Sequence, residues 1–446
     1  MCWNPWNSSA ERRRNRLRGV FAAALMLGTA VGTAALAQDG SKELTVMGLE
    51  VHLNNLRARG FAKGGIDNLA DFEQSTGSKV EFITGTTNSL QEALQRLGPL
   101  SETKEDVIYV NQLDANSRIT KFLSPLTPEV TSRSIEGLPD QWPAGVVASA
   151  TFDDKLYLLP LRCGTFILWY NDRIFGELGI SAPPKTPEEL YDIAKKGTFT
   201  RPNGEQVYGF SPRGDKWSLT EDMTVLARMY GGDLIAQDFD VALNKPPAVA
   251  AVTLLQKMYR EHIMPPNWAT LDGNAQAELF RSERVSMVIG GANYDGQYNK
   301  QADSKIAGHA IPAHLPLVAA LKTDKVDFSP SVIWYWGVGV LNGSTNKGLA
   351  YDFVAHIAEP QVQRELAING NGPCTKAVLA EMGKKSPGLK LAEEIFAVSR
   401  PTIPAHPNMN QVRDLMGEAF QDIVVNGLDA QSELDRVAQR IKRLLQ

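Results

Sequence analysis

The chain has 446 residues, about three times a common domain, so more than one globular unit is expected. It is 43% hydrophobic and 22% charged, which excludes a disordered chain, a collagen and a polytopic membrane protein. With 46 basic against 50 acidic residues and a net charge of −4, it carries no positive excess to neutralise a nucleic-acid backbone, and no nucleic-acid partner is expected.

The first 37 residues read as an export signal. Arg12, Arg13, Arg14, Arg16 and Arg18 form a basic block, residues 20–36 carry no charge, and Ala35-Leu36-Ala37 offers small residues at both recognition positions. The apolar run is short for a membrane span. No cysteine follows the cleavage position, so no lipid anchor is expected, and the arginine pair lacks the flanking residues of a folded-export signal. The expectation is a cleaved signal peptide and a periplasmic protein. Cys2 would leave with it, and Cys163 and Cys374 would remain in an oxidising compartment where they could pair.

Leu44-Thr45-Val46-Met47 reads as a buried strand ending at Gly48, followed by a helix over residues 66–75 with Gly77 as its stop. Val80 to Ile83 is the next strand, a loop spans residues 85–89, a helix begins near Leu90, and Asp106 to Val110 is a third strand. This alternation predicts parallel strands with crossover helices, whose ligands bind beyond the carboxyl ends of the strands. That points to Glu50, to residues 86–89 and to residues 111–114. Thr186-Pro187-Glu188-Glu189 predicts a capped helix start, with Glu189 returning a bond to the cap. Leu434, Val437, Ile441 and Leu444 share one face of a packed C-terminal helix.

Motifs for bond chemistry are sparse. The histidines at 52, 262, 309, 314, 356 and 406 lack metal-site spacing, and there is no CxxC, nucleophile elbow or phosphate loop, so neither metal nor other cofactor is expected. The glycine pairs Gly231-Gly232 and Gly290-Gly291 read as helix stops and tight turns. The carboxylate pairs at 153–154, 188–189, 221–222 and 393–394 read as solvated faces and turns. Trp169, inside an apolar run, reads as core. In Ser331-Val332-Ile333-Trp334-Tyr335-Trp336-Gly337 the strand period puts Trp334 and Trp336 on one face and Tyr335 on the other. A flat aromatic face suits the C–H face of a sugar ring as well as it suits a buried sheet.

From residue 150 onward the sequence resembles a known family. Phe152-Asp153-Asp154-Lys155-Leu156-Tyr157-Leu158-Leu159-Pro160, Trp169-Tyr170-Asn171, Gly179-Ile180 and Pro183-Pro184-Lys185-Thr186-Pro187-Glu188-Glu189-Leu190 are similar to the family 1 extracellular solute-binding proteins of bacterial ABC importers, whose best-known relative is maltose-binding protein. Asp154 stands where that family often has Gly, and Pro187 where it often has Trp. Asp106-Val107, Ser124-Pro125-Leu126, Met229-Tyr230-Gly231-Gly232, Phe280 to Gly291, Gly337 to Val340, the helix from Ala350 to Ile357 and Gly372-Pro373 extend the resemblance to the end of the chain.

The resemblance implies an α/β, type II periplasmic binding protein fold: two discontinuous lobes joined by a hinge, with a ligand cleft between them. By position, lobe one would hold residues 41–161 and 337–372, and lobe two residues 162–336 and 373–446. It implies no enzyme activity. The protein would be a monomeric carrier that captures a carbohydrate or carbohydrate-like solute (sugar, oligosaccharide, polyol or sugar acid) and delivers it to the permease subunits of an ABC importer. The competing expectations are a secreted carbohydrate-active enzyme and a sensor of the same fold. The implied ligand contacts are Glu50, Asn111, Gln112, Asp114, Arg162, Gly164, Trp217, Glu221, Asn293, Tyr294, Trp334, Trp336 and Asn371. Cys163 would border the cleft beside Arg162, and a buried Arg162 would favour a carboxylate or phosphate on the ligand.

Overall fold

The computed structural model describes residues 42–59, 65–126 and 137–446. The export segment lies outside these residues. The first two expected strands extend two residues beyond the sequence signal at each end, and the third is shifted by one residue. The strands are β1 (Lys42–Leu49), β2 (Ser78–Gly85), β3 (Val107–Asn111), the short β4 (Leu123–Ser124), β5 (Thr151–Phe152) and β6 (Lys155–Leu156), the long β7 (Leu159–Asn171), then β8 (Phe199–Thr200), β9 (Gln206–Ser211), β10 (Val285–Gly291), β11 (Ala310–Ala313), β12 (Val332–Leu341) and β13 (Arg400–Pro401).

The main sheet runs β2-β1-β3-β12-β7-β10-β9-β8. The expected parallel arrangement holds at one end, where Leu44 pairs with Val80 and Val46 with Val107. It holds again between β9 and β10. The centre differs: β12 is antiparallel to both β3 and β7, and β7 is antiparallel to β10. The two longest strands therefore tie the flanking parallel wings together, a role that hydrophobic pattern alone does not encode.

Local chemistry explains the element ends. Gly77 closes the helix Asn68–Thr76 at φ 64°, and Asp67 caps its start by accepting from the Ala70 amide. Thr186 caps Pro187–Lys196 by accepting from the Glu189 amide at 3.2 Å. The Glu189 carboxylate returns its bond not to Thr186 but to the amide of Lys185, at 2.7 Å. Asp153 and Asp154 form the two-residue turn between β5 and β6, both at positive φ, as hairpin geometry demands. Gly290 and Gly291 end a strand rather than form a turn.

The buried apolar residues gather into two hydrophobic cores. One gathers Leu44, Val46, Ile108, Val338 and Phe353; the other gathers Phe210, Met223, Val252, Met287 and Phe420. Leu434, Val437 and Ile441 of the C-terminal helix Ala430–Leu444 are buried in the second, and Leu444 is half-buried. Trp169 is fully buried, as expected, and donates to the Gly291 carbonyl.

Cys163 and Cys374 form a disulfide across a sequence separation of 211 residues. The Cys163 amide also donates to the Gly372 carbonyl at 3.0 Å, and Asn371 Nδ2 donates to the Leu161 carbonyl at 2.7 Å. A Cβ on Gly372 would lie 1.9 Å from the Cys163 carbonyl oxygen, so only glycine fits this approach. The double variant Cys163→Ala/Cys374→Ala should lose about 2–4 kcal/mol of stability in urea unfolding. Reductant should move the parent protein to the same midpoint; midpoints that coincide with the oxidised parent would refute a structural role for the bond.

Candidate functional site

The register of β7 against β12 assembles the site. Trp334 pairs with Gly164 and Trp336 with Arg162, while on the other side of β12 Trp336 pairs with Asn111 of β3. Directly opposed residues share a face, so Asn111, Arg162, Gly164, Trp334 and Trp336 stand on one side of the sheet. Tyr335 points to the other side, fully buried, with its hydroxyl 3.3 Å from Ser149 Oγ. Gly164 is what lets the Trp334 indole lie flat against the strand, since a Cβ there would sit 2.1 Å from Trp334 Cζ2.

The Arg162 guanidinium lies over the Trp334 ring, 5.2 Å from its centroid. Its Nε is shut off from solvent and has no partner. Burial pulls the group below the usual arginine value, and the Tyr294 hydroxyl acts in the opposite sense. Trp334 Nε1, Gln112 Oε1 and Asn293 Oδ1 are likewise buried without a partner.

His52 joins this group, although the sequence patterns gave it no role. Its ring stacks on Tyr109 at 4.1 Å and meets Trp336 edge-on at 5.0 Å. Its Nδ1 accepts from the Leu49 amide at 3.1 Å. Burial, then the charge of Arg162, holds its pKa well below the usual histidine value. The ring is therefore neutral, and Nε2 carries the proton and has no acceptor. The available signal was position: His52 follows the carboxyl end of β1, two residues past Glu50.

A second group stands nearby in the electrostatics. Arg213 Nε donates to Asp222 Oδ1 at 3.0 Å and an Nη to Glu221 Oε2 at 3.1 Å, and the guanidinium packs on Phe166 at 4.3 Å. The two carboxylates hold Arg213 firmly charged, above its usual value. Glu221 and Asp222 are thus a buried ion-pair anchor and not a solvated face, which corrects the sequence reading; a pair spent on one arginine does not face a substrate from two sides. Trp217 is 44% exposed, and the Arg413 guanidinium lies 4.2 Å from its ring centroid. Arg413, also missed from sequence, donates to the Trp217 carbonyl and leaves Nε unpartnered. Asp114 accepts from Gln91 Nε2 at 2.6 Å, and Asn410 donates to Gln91 Oε1 at 2.8 Å.

The remaining candidates are placed differently. Tyr294 is half-buried, edge-on to Tyr298 at 5.7 Å. Glu50 opens the helix Glu50–Leu56 and is exposed. Asn371 is buried, but its amide is engaged by Asn55 Nδ2 and the Leu161 carbonyl. Among the described residues no group of three His, Cys, Asp or Glu is placed to hold a metal ion, and no helix is long and apolar enough to cross a membrane.

A long-stranded mixed sheet bridging two cores, with an aromatic and polar site at its centre, is the architecture of a ligand-binding protein of the type II periplasmic kind. Residues 61–364 match the bacterial extracellular solute-binding protein family, and the chain belongs to that family. It is 25% identical over 386 residues to the galactooligosaccharide-binding protein of Bacillus subtilis, covering 84% of this chain and 85% of that one. It is 25% identical over 325 residues to the sn-glycerol-3-phosphate-binding periplasmic protein of Agrobacterium fabrum, covering 68% and 70%. The solved ABC transporter solute-binding protein of Agrobacterium radiobacter in complex with ribitol superposes with a TM-score of 0.75 at 20% identity, covering 90% of this chain and 98% of that one.

Burial pushes the Asp114 carboxyl up to about 6, against the opposing pull of the Gln91 bond and Arg413. A raised carboxyl favours its neutral form in the fold, so Asp114 opposes folding increasingly as pH rises from the ordinary carboxylate range through about 6. Asp114→Asn keeps an acceptor for Gln91 and removes the charge. It should stabilise the ligand-free protein by about 1–3 kcal/mol at about pH 7.5 and by no more than about 0.5 kcal/mol at about pH 4. Equal urea midpoints for parent and variant at both pH values would contradict this.

Proposed function

We propose that this protein is the periplasmic solute-capture component of an ABC importer and that its solute is a carbohydrate or a carbohydrate-like polyol. The observation that carries this reading is the set of buried, unpartnered polar atoms of His52, Gln112, Arg162, Asn293 and Trp334 around an aromatic face. Each such atom costs free energy unless a ligand completes it, and a polyhydroxylated molecule offers donors and acceptors at short intervals. Trp334 would supply the flat surface for the C–H groups of a sugar ring or an open polyol, and Trp217 a second one near the rim.

The lobes would be residues 41–161 with 337–372, and 162–336 with 373–446, meeting where β7 and β12 cross. Asn111, Gln112 and His52 then belong to one lobe and Arg162, Asn293 and Trp334 to the other. A solute touching both sets favours the closed form over the open one, and the permease would read that closed form. The export signal would be removed on secretion. The galactooligosaccharide-, sn-glycerol-3-phosphate- and ribitol-binding relatives between them take an oligosaccharide, a polyol phosphate and a polyol, so this protein's own site must decide among such classes.

A thermal-shift screen of the purified secreted protein should find a member of a panel of neutral sugars, oligosaccharides, polyols, sugar acids and sugar phosphates that raises Tm by several degrees at saturation. The solute should be recovered chemically unchanged. Trp334→Ala should weaken binding by about tenfold or more. A panel in which nothing shifts Tm would remove carbohydrate as the solute class, and consumption of the hit would replace the carrier reading with an enzyme.

A further inference from the structure

Arg162, Arg213, Arg228, Arg281 and Arg413, all buried or half-buried, fall into two kinds. Arg213 is held by Asp222 and Glu221, Arg228 by Asp233, and Arg281 by Glu278 and Asp303. Arg413 lies in the field of Glu221 and Asp114. Arg162 has no acidic partner at all among the described residues; the one group acting on it in the stabilising sense is the Tyr294 hydroxyl. Arg162 is half-buried with its Nε shut off from water, and a guanidinium partly withdrawn from water without a counter-charge is costly to hold, so its retention calls for a charge supplied from outside.

The atoms around it point the same way. Arg162 Nε, Trp334 Nε1 and His52 Nε2 are all N–H donors, all buried and all without an acceptor. They are linked through the tryptophans: Arg162 lies over Trp334 and pairs across the sheet with Trp336, whose ring meets His52. The Leu49 amide bonded to Nδ1 fixes the His52 tautomer that donates from Nε2. A donor-only cluster around an unpaired cation suits a group that only accepts and carries negative charge better than it suits a neutral hydroxyl, which must also place its own proton. The unpartnered acceptors, Gln112 Oε1 and Asn293 Oδ1, suit the hydroxyls of an attached body.

Resting on the carbohydrate-binding reading above, we infer that the solute is a polyhydroxylated oxyanion, a sugar acid or a sugar or polyol phosphate, whose carboxylate or phosphate is seated on Arg162, His52 and Trp334. Arg162 gives the charge and the fork of donors, while His52 and Trp334 add directed bonds.

The test is calorimetric titration of the purified protein with four families of probe: neutral hexoses and polyols, the matching uronic acids, the matching sugar and polyol phosphates, and inorganic phosphate. At least one acid or phosphate should bind about a hundredfold more tightly than its neutral parent, and its binding should be weakened by added salt. Whether the uronates or the phosphates bind identifies the oxyanion. Arg162→Met should lose about a hundredfold of that affinity, while its Tm without ligand should be no lower than the parent's, because it removes a half-buried charge that has no acidic partner. Arg162→Lys should recover part of the affinity.

Neutral sugars binding as tightly as their acids, in the parent protein, would overturn the inference and leave the carbohydrate reading standing. Inorganic phosphate binding as tightly as the sugar phosphates would overturn the hydroxylated body. Silence from all four families would overturn both readings together. A marked fall in Tm for ligand-free Arg162→Met would show that the arginine serves the fold, and would also overturn the inference.

Discussion

The pairing of β12 with β7 is the constraint on which the site depends. Five of the residues that line it occupy one face because Trp334 is held opposite Gly164 and Trp336 opposite Arg162. A slip of one residue would turn both tryptophans to the face now filled by the buried Tyr335 and would carry Arg162 out of reach. The absence of a side chain at Gly164 is part of the same constraint, since it leaves room for the indole to lie against the strand. The same two strands connect the parallel wings of the sheet, so the geometry of the candidate site and the connection between those wings are set by one set of hydrogen bonds.

Charge is distributed around that centre with a consistent logic. Glu221 and Asp222 are spent on Arg213, which stiffens the helix Lys216–Met229 against Phe166 and puts Trp217 at its exposed first turn. Asp114, Gln91 and Asn410 link the segment after β3 to the helix Met409–Val424 through two hydrogen bonds. These groups satisfy one another. Arg162, His52, Gln112, Asn293 and Trp334 each keep a buried polar atom without a partner.

The disulfide lies on the reverse of the same crossing. Cys163 falls between Arg162 and Gly164, so its side chain points away from the aromatic face and meets Cys374 behind it. The backbone bond to Gly372 and the Asn371 amide hold the segment 371–374 against β7. Asn371, implied as a ligand contact by resemblance, is engaged in that support. Segment 371–374 is thereby fixed to the strand that carries Arg162.

Much of this was legible in the residues themselves. The three strands between residues 42 and 111, the cap at Thr186, the packed face of the last helix, the stop at Gly77 and the opposition of Trp334 and Trp336 to Tyr335 are local consequences of periodicity and of backbone preferences that a few neighbouring residues determine. The family resemblance supplied the overall architecture and the neighbourhood of the site. The antiparallel centre of the sheet, the bonding of cysteines 211 residues apart and the inclusion of His52 and Arg413 were decided only by tertiary structure. So was the opposite fate of two arginines, one paired and one bare. Each of these depends on what lies across space from a residue and not beside it in the sequence. Glu221 and Asp222 read as a solvated pair until Arg213 is opposite them, and that Arg162, implied as a ligand contact by resemblance, meets no acidic partner among the described residues emerges only in the fold.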